Sequence, residues 1–581
     1  AIPAKQVKAT AKNAIAIGQN ANATGRGGIA LGNDTQSAQN AIAAAWDSQA
    51  TGKNSVAVGT GTRATGLSAT AVGDGAKATA NGAVALGQST ESAGNSVAAG
   101  FNAKARSNNT VAIGVASVAN GSSSFAASGG STASGKDGQI AIGWSSTNGK
   151  GAVAIGGTSD TASGRDTRAI GTSAVALGVG SAANGSNAFV ASGGSATGNN
   201  AIAISGGTAN GNGSIAIGWQ TNAKNDATAV GSNAQATDKD SVAVGKNSNA
   251  AGESATAVGS SATVSGRGGV AVGWNAESAV NAVGVGFNAK AKANNTVAIG
   301  VEANNDKVNA ISNNYSSVSV GVATRARAVG SMAMGVSADA SGNYSIALGS
   351  GDVRGDFTAN ANYPKATGEK AIAIGHNSNS SNTAATAIGA GATASGQDSF
   401  AGGSGTAGGN SSIAIGKSSG ATNDRALAVG VNAKATGKDT VAVGSGAGGT
   451  VGLGFASSID DNKGVVQTIK NINVATTADG DNAVAVGHYA NAMNSGVALG
   501  QNTLAATGGV AIGKGVLEDT GNNYAGGVVI GQDSATLGPY SLAMGFNAFA
   551  SGSTSMAIGH TVSADGGFAV AMGRKVSATG T

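Results

Sequence analysis

Residues Asn54–Gly66 read N-S-V-A-V-G-T-G-T-R-A-T-G, and the reading of this stretch decides the fold. Ser55-Val56-Ala57-Val58 alternates β-branched and small residues and stops at Gly59, the pattern of a short strand ended by a turn. Thr62-Arg63-Ala64-Thr65 alternates small and long polar residues and stops at Gly66, which predicts a second strand with one face in water. Each unit is therefore two short strands and two glycine turns.

The unit recurs along the chain. Val84-Ala85-Leu86-Gly87, Val111-Ala112-Ile113-Gly114, Ile215-Ala216-Ile217-Gly218 and Val441-Ala442-Val443-Gly444 are further copies. Gly59, Gly73 and Gly87 lie 14 residues apart, and the spacing drifts by about one residue elsewhere. A period this short marks a solenoid, in which each unit contacts only its neighbours. Two strands per period and no helical pattern predict an all-β fold, a parallel β-roll or β-helix.

Composition agrees. The 581 residues need not split into several domains, because a solenoid grows by repetition. The 98 glycines fall at fixed positions and so mark turns rather than disorder. Proline is confined to Pro3, Pro364 and Pro539, as expected where nearly every backbone N–H is needed for ladder bonds. There is no cysteine, hence no disulfide framework and no thiol chemistry. A net charge of +5, spread evenly, argues against nucleic acid as a partner. No run reaches transmembrane length, and the ends at Ala1 and Thr581 read as those of a fragment of something longer.

In order, residues 1–302 read as regular roll, 303–317 as a loop insertion, 318–349 as roll and 350–370 as a second loop insertion. Roll resumes over 371–444, an insert of different character fills 445–482, and 483–581 form a second roll segment. Multi-coil blocks are duplicated: Gly100–Val115 nearly reappears as Gly286–Val301, and Phe125–Gly130 as Phe189–Gly194. Ala45 stands where other units carry the anchor glycine. Trp46, Trp144, Trp219 and Trp274 share the slot after it, where a surface packing cap is preferred over a ligand platform.

Within one coil, the alternation of Arg63 and Lys77 with Thr or Ala turns the small residues inward. An interior lined by Ala and Thr on one wall calls for larger groups on the other, which places Val56 and Val58 inside and Ala57 outside. The reverse orientation stays open. Either way an apolar strip runs along the outside, too long to leave in water, and predicts an oligomer.

The repeat N-S-V-A-V-G-x-x-x-x-A-x-G resembles the head repeat of trimeric autotransporter adhesins, the YadA-like left-handed parallel β-roll. The resemblance implies a homotrimer, exposure at the bacterial cell surface, and outer-membrane attachment through a C-terminal anchor outside these residues. It also implies adhesion to host matrix (collagen, fibronectin or laminin) or to cell-surface receptors, without enzymatic activity. Gln467–Val484 looks like the family's neck motif, but lacks its initial Arg and the Gly after Asn-Val-Ala, and leads back into head repeats.

Candidate chemistry is sparse, and no catalytic residue, cofactor or metal is expected. His376, His488 and His560 each follow an anchor glycine and are spread along the chain; in a threefold trimer each could form a ring, against the plainer reading of a solvated turn. Arg354-Gly355-Asp356, in the 350–370 loop, is the integrin-recognition tripeptide and the one candidate ligand-binding site, though a glycine-rich chain also produces it by chance. Arg63, Lys77, Lys104, Arg106, Lys290 and Lys292 read as a solubility face, with acidic glycans or collagen as the alternative. Three rival readings stand beside the adhesin. A trimeric β-helical phage tailspike or glycan lyase would need a cleft of carboxylates and aromatics, where aromatic content is only 3%. An ice-binding solenoid would need a Thr-x-Thr ladder, where Thr24, Thr51 and Thr65 sit singly. The third is self-association between cells, as in autoagglutination or biofilm.

Overall fold

Why the chain coils is visible in one turn of it. Val56–Val58 pairs in parallel with Ile42–Ala44 behind it and Thr70–Val72 ahead, and Arg63–Ala64 pairs with Gln49–Ala50 and Lys77–Ala78. Every strand thus bonds to its equivalent one coil away. A three-residue strand and a two-residue strand alternate, and two parallel sheets grow side by side. The computed structural model describes residues 6–158, 166–302, 304–305, 316–351, 362–446, 450–460, 464–473, 475–518 and 526–580. Among them there is no helix. They form two compact units, 1–280 and 281–581, each built on this plan.

The interior is narrower than the sequence suggested, and the orientation of the longer strand is corrected. Ala57 is 0% exposed while Val58 is 37% exposed, and the same holds for Ala71 against Val72 and Ala85 against Leu86. Ala64 and Thr62 point inward, as expected from the second strand. Both walls are lined mostly by methyl groups, with an occasional Ser or Val such as Ser92 and Val264, and the larger Val, Ile and Leu side chains of these strands turn outward. Register then stacks Ala57 on Ala71 and Ala71 on Ala85. Each buried methyl contributes only about 0.8 kcal/mol, so stability rests on repetition together with the ladder bonds.

The corners account for the remaining polar groups. Hydroxyls at the buried corner positions donate to the carbonyl three residues back, Ser55 Oγ to Gly52 O at 2.6 Å and Thr62 Oγ1 to Gly59 O at 2.9 Å. The other corner holds residues in the left-handed region, such as Asn40 and Asn54 at φ 52° and 59°, and Asn40 Nδ2 donates to Asn54 Oδ1 at 3.2 Å. Gly59 has φ 127°, and a Cβ there would lie 2.6 Å from the Gly73 carbonyl oxygen. Stacked coils leave no room for a side chain at that position. Where a side chain does stand there, as at Ala45, Ser128, Ser192 and Ser205, φ falls to 93°, 71°, 59° and 56°.

The roll passes straight across its interruptions. Val297–Ile299 pairs with Val318–Val322, Ile346–Ser350 with Ile372–Ile374, and Val441–Val443 with Val484–Val486. Two more interruptions sit inside stretches read as regular roll: Val153–Ile155 pairs with Val175–Leu177, and Val510–Lys514 with Val528–Gln532. The 445–482 insert contains an antiparallel hairpin, Thr450–Asp460 with Gly464–Asn473, so the first part of the neck-like segment is its second strand. The hairpin's first strand lies against Ala535–Thr536, Leu542–Ala550 and Met556–Ala564. Leu504, Leu517, Ala535 and Phe549 form a buried outward-facing cluster with Tyr489 and Leu537 packed on it, and of these Ala535 and Phe549 sit on strands that the hairpin touches.

Candidate functional site

Each coil offers three outward surfaces, and the repeat generates each as a ladder. The three-residue strands present Val58, Val72, Leu86 and Ile113, all more than a third exposed, in adjacent coils or nearly so. This is a continuous apolar face, and nothing among the described residues covers these side chains.

The two-residue strands present the polar ladder. Gln49, Arg63, Lys77, Glu91, Lys104 and Val118 stand in register. Arg106 Nε lies 3.2 Å from Glu91 Oε2, and an open cleft of about 320 Å³ runs between Lys77, Glu91 and Arg106. Both partners of that ion pair are wet, so it contributes at most about 1 kcal/mol. Lys290 continues the pattern in the second unit, in register with Asn304. Elsewhere on such faces, Arg327 grips the nearly buried Asp339, with Nε 3.2 Å from Oδ1. At the left-handed corner, Arg425 Nη2 lies 2.7 Å from Asp439 Oδ2, and this hydrogen bond holds the Asp439 carboxyl below the usual range.

The corner after the anchor glycine presents the aromatic rings. Trp46, Trp144, Trp219 and Trp274 are all exposed there, as are Phe101 and Phe287. Trp144 does lie across a neighbouring coil: its indole covers Gly129 and Gly130, where a Cβ on Gly130 would fall 2.3 Å from Cε3. Beside it Thr132, Ser146 and Asp166 converge, and register alone brings them together. No local motif in the sequence announces that grouping, since each residue comes from a different coil.

The remaining sequence candidates stay apart. Arg354, Gly355 and Asp356 lie outside the described residues. His488 rests against Tyr489 with ring centroids 3.7 Å apart, and His560 stacks on Phe546 at 5.0 Å, one coil below it. Among the described residues, no group of three or more His, Cys, Asp or Glu gathers as a metal site would require.

Comparison with curated proteins gives no match. Comparison with protein families matches the YadA head domain repeat over residues 9–35, 37–62, 64–90, 92–116, 162–189, 208–221, 223–248, 250–276 and 278–303. The matches continue over 326–351, 366–392, 380–406, 407–430, 421–447, 474–492, 525–548 and 550–575. They cover well over half of the chain and coincide with the coils just described. A parallel roll with an alanine interior, glycine columns at its corners and this repeat along its length belongs to the YadA head domain repeat family.

Proposed function

We propose that the chain is the head of a bacterial surface adhesin, a homotrimer that attaches to host matrix proteins or cell receptors and performs no catalysis. The observation that carries this reading is the apolar ladder of Val58, Val72, Leu86 and Ile113, which a monomer would leave in water. Two further copies of the chain would cover it, and the polar and aromatic ladders would then remain as the displayed surface. Family membership supports display at the cell surface. A repetitive surface multiplied by three chains suits attachment by many weak contacts.

Sedimentation of the purified chain tests the assembly. A trimer is expected, with Val58→Asp/Val72→Asp shifting it toward monomer, and a monomeric wild-type chain would overturn the proposal. Binding to immobilised collagen, fibronectin and laminin and to integrin-bearing cells tests the function, beside Asp356→Ala. Loss of cell binding in that variant alone assigns attachment to the Arg354-Gly355-Asp356 loop. Binding to none of these surfaces favours self-association of the heads instead.

A further inference from the structure

We propose that the cleft beside Trp144 is a subsite for one neutral hexose unit of a glycan. It deepens the adhesin reading by naming a ligand class, and it rests on geometry that reading does not use. The cleft measures about 190 Å³ and is lined by Gly130, Thr132, Trp144, Ser145, Ser146 and Asp166.

The indole is fixed in place. Its six-membered ring lies over Gly130 and its Nε1 edge over Gly129, and a side chain at Gly130 would collide with it. The corner that carries it is tight, with the Ser145 N–H donating to the Gly143 carbonyl at 2.8 Å. A ring so held, and still 37% exposed, presents a rigid apolar plate at little entropic cost. The C–H face of a pyranose needs such a plate.

The polar groups match the ring's other requirement. Thr132 and Ser146 face outward in register, and neither hydroxyl has a hydrogen-bond partner within the described chain, so each can donate to and accept from a sugar hydroxyl. Asp166 brings a carboxylate to the same edge, with Arg168 Nη2 3.6 Å from its Oδ2. A carboxylate accepts from sugar hydroxyls, and its charge is balanced by the guanidinium. The site is thus near neutral overall, and a sugar acid gains nothing over a neutral hexose.

Trp219 supplies an internal control. It sits at the equivalent corner with its Cδ1 near Gly206, but it is 64% exposed and faces Thr208 and Asn222 without a carboxylate. Trp144 thus has the full set of groups, and Trp219 in the same slot does not.

Saturation-transfer NMR on the intact chain tests the inference, with methyl β-galactopyranoside, methyl β-glucopyranoside and methyl β-N-acetylglucosaminide as probes. Transfer to the C–H protons of one ring face is expected for at least one of them. It should fall about ten-fold in Trp144→Ala, the loss of one stacking contact, and survive in part in Trp144→Phe. Asp166→Asn should weaken it, and Trp219→Ala should leave it intact. No transfer to any probe, or unchanged transfer in Trp144→Ala or Asp166→Asn, overturns the subsite. Free sugars are the probe, so failure here leaves the matrix-binding assay untouched, and failure there leaves this one standing.

Discussion

The outward ladder Gln49, Arg63, Lys77, Glu91, Lys104 and its counterpart Asn491, Leu504, Leu517, Ala535, Phe549 occupy the same position of the same coil. The first is charged and wet. The second is buried and, past Asn491, apolar, with Leu517 at 1% and Phe549 at 2% exposure. Backbone, register and interior are shared, so the difference comes from what lies on top. In the second unit the first strand of the hairpin Thr450–Asp460/Gly464–Asn473 lies against the later of these coils, at Ala535–Thr536 and Leu542–Ala550, and Leu504 and Leu517 pack with Phe549, Tyr489 and Leu537 in the same cluster. A coil's chemistry on this face is therefore set by its neighbour in space, not by the repeat.

The strongest way to break the comparison is to remove the cover. Replacing residues 447–474 with a short Gly-Ser linker should expose Phe549, worth about 1.5–3 kcal/mol when buried, and loosen the Leu504 and Leu517 cluster packed with it. Binding of an apolar dye and new self-association are expected, and a variant that stays dye-silent would show that the cover is something else. Next in size, Phe549→Ala should cost about 3–5 kcal/mol by chemical denaturation of the second unit, as for a filled core position.

Glu518 probes the same region from inside the coil. It takes the inward slot that Ala505 fills one coil earlier, and accepts from the Ala506 N–H at 2.6 Å and the Gly527 N–H at 2.9 Å. Glu518→Ala leaves the buried Gly527 N–H without this acceptor, at about 1–3 kcal/mol, and should speed its amide exchange, while the Ala506 N–H keeps the Glu518 main-chain carbonyl at 3.0 Å. At the other end of the scale, Lys77→Ala on the wet ladder should change stability by no more than about 0.5 kcal/mol. Lys77→Leu should sharpen the point. With nothing above it the new leucine gains little, and its thermal midpoint should match that of Lys77→Ala while its solubility falls.

The repeat, its strands and its glycine columns were legible in Asn54–Gly66 because turn chemistry and alternation are local. The orientation of Val56-Ala57-Val58 was not. Alternation reads the same from either side, and the deciding quantity is the distance between the two sheets, which two corners set jointly. The buried ladder was equally hidden: Leu504 and Phe549 sit in ordinary-looking units, and the hairpin that touches the Phe549 strand is a segment inserted before them in the chain. Trp144 was visible as an aromatic after a turn, but its partners Thr132, Ser146 and Asp166 are gathered only by stacking.

The alanine-on-alanine stacking has a kinetic side. When coil after coil offers the same methyl surface, nothing in the core tells a growing roll which coil comes next. Docking one coil out of step costs little beyond the loop it strands. The irregular coils supply the missing addresses. Glu518 fits only beneath a residue without a side chain, since a Cβ on Gly509 would lie 1.8 Å from its carboxylate oxygen, and Trp144 fits only over Gly130, where a Cβ would lie 2.3 Å from the ring. Such one-off keys, few and widely spaced, would let a chain of near-identical steps count itself into register as it folds.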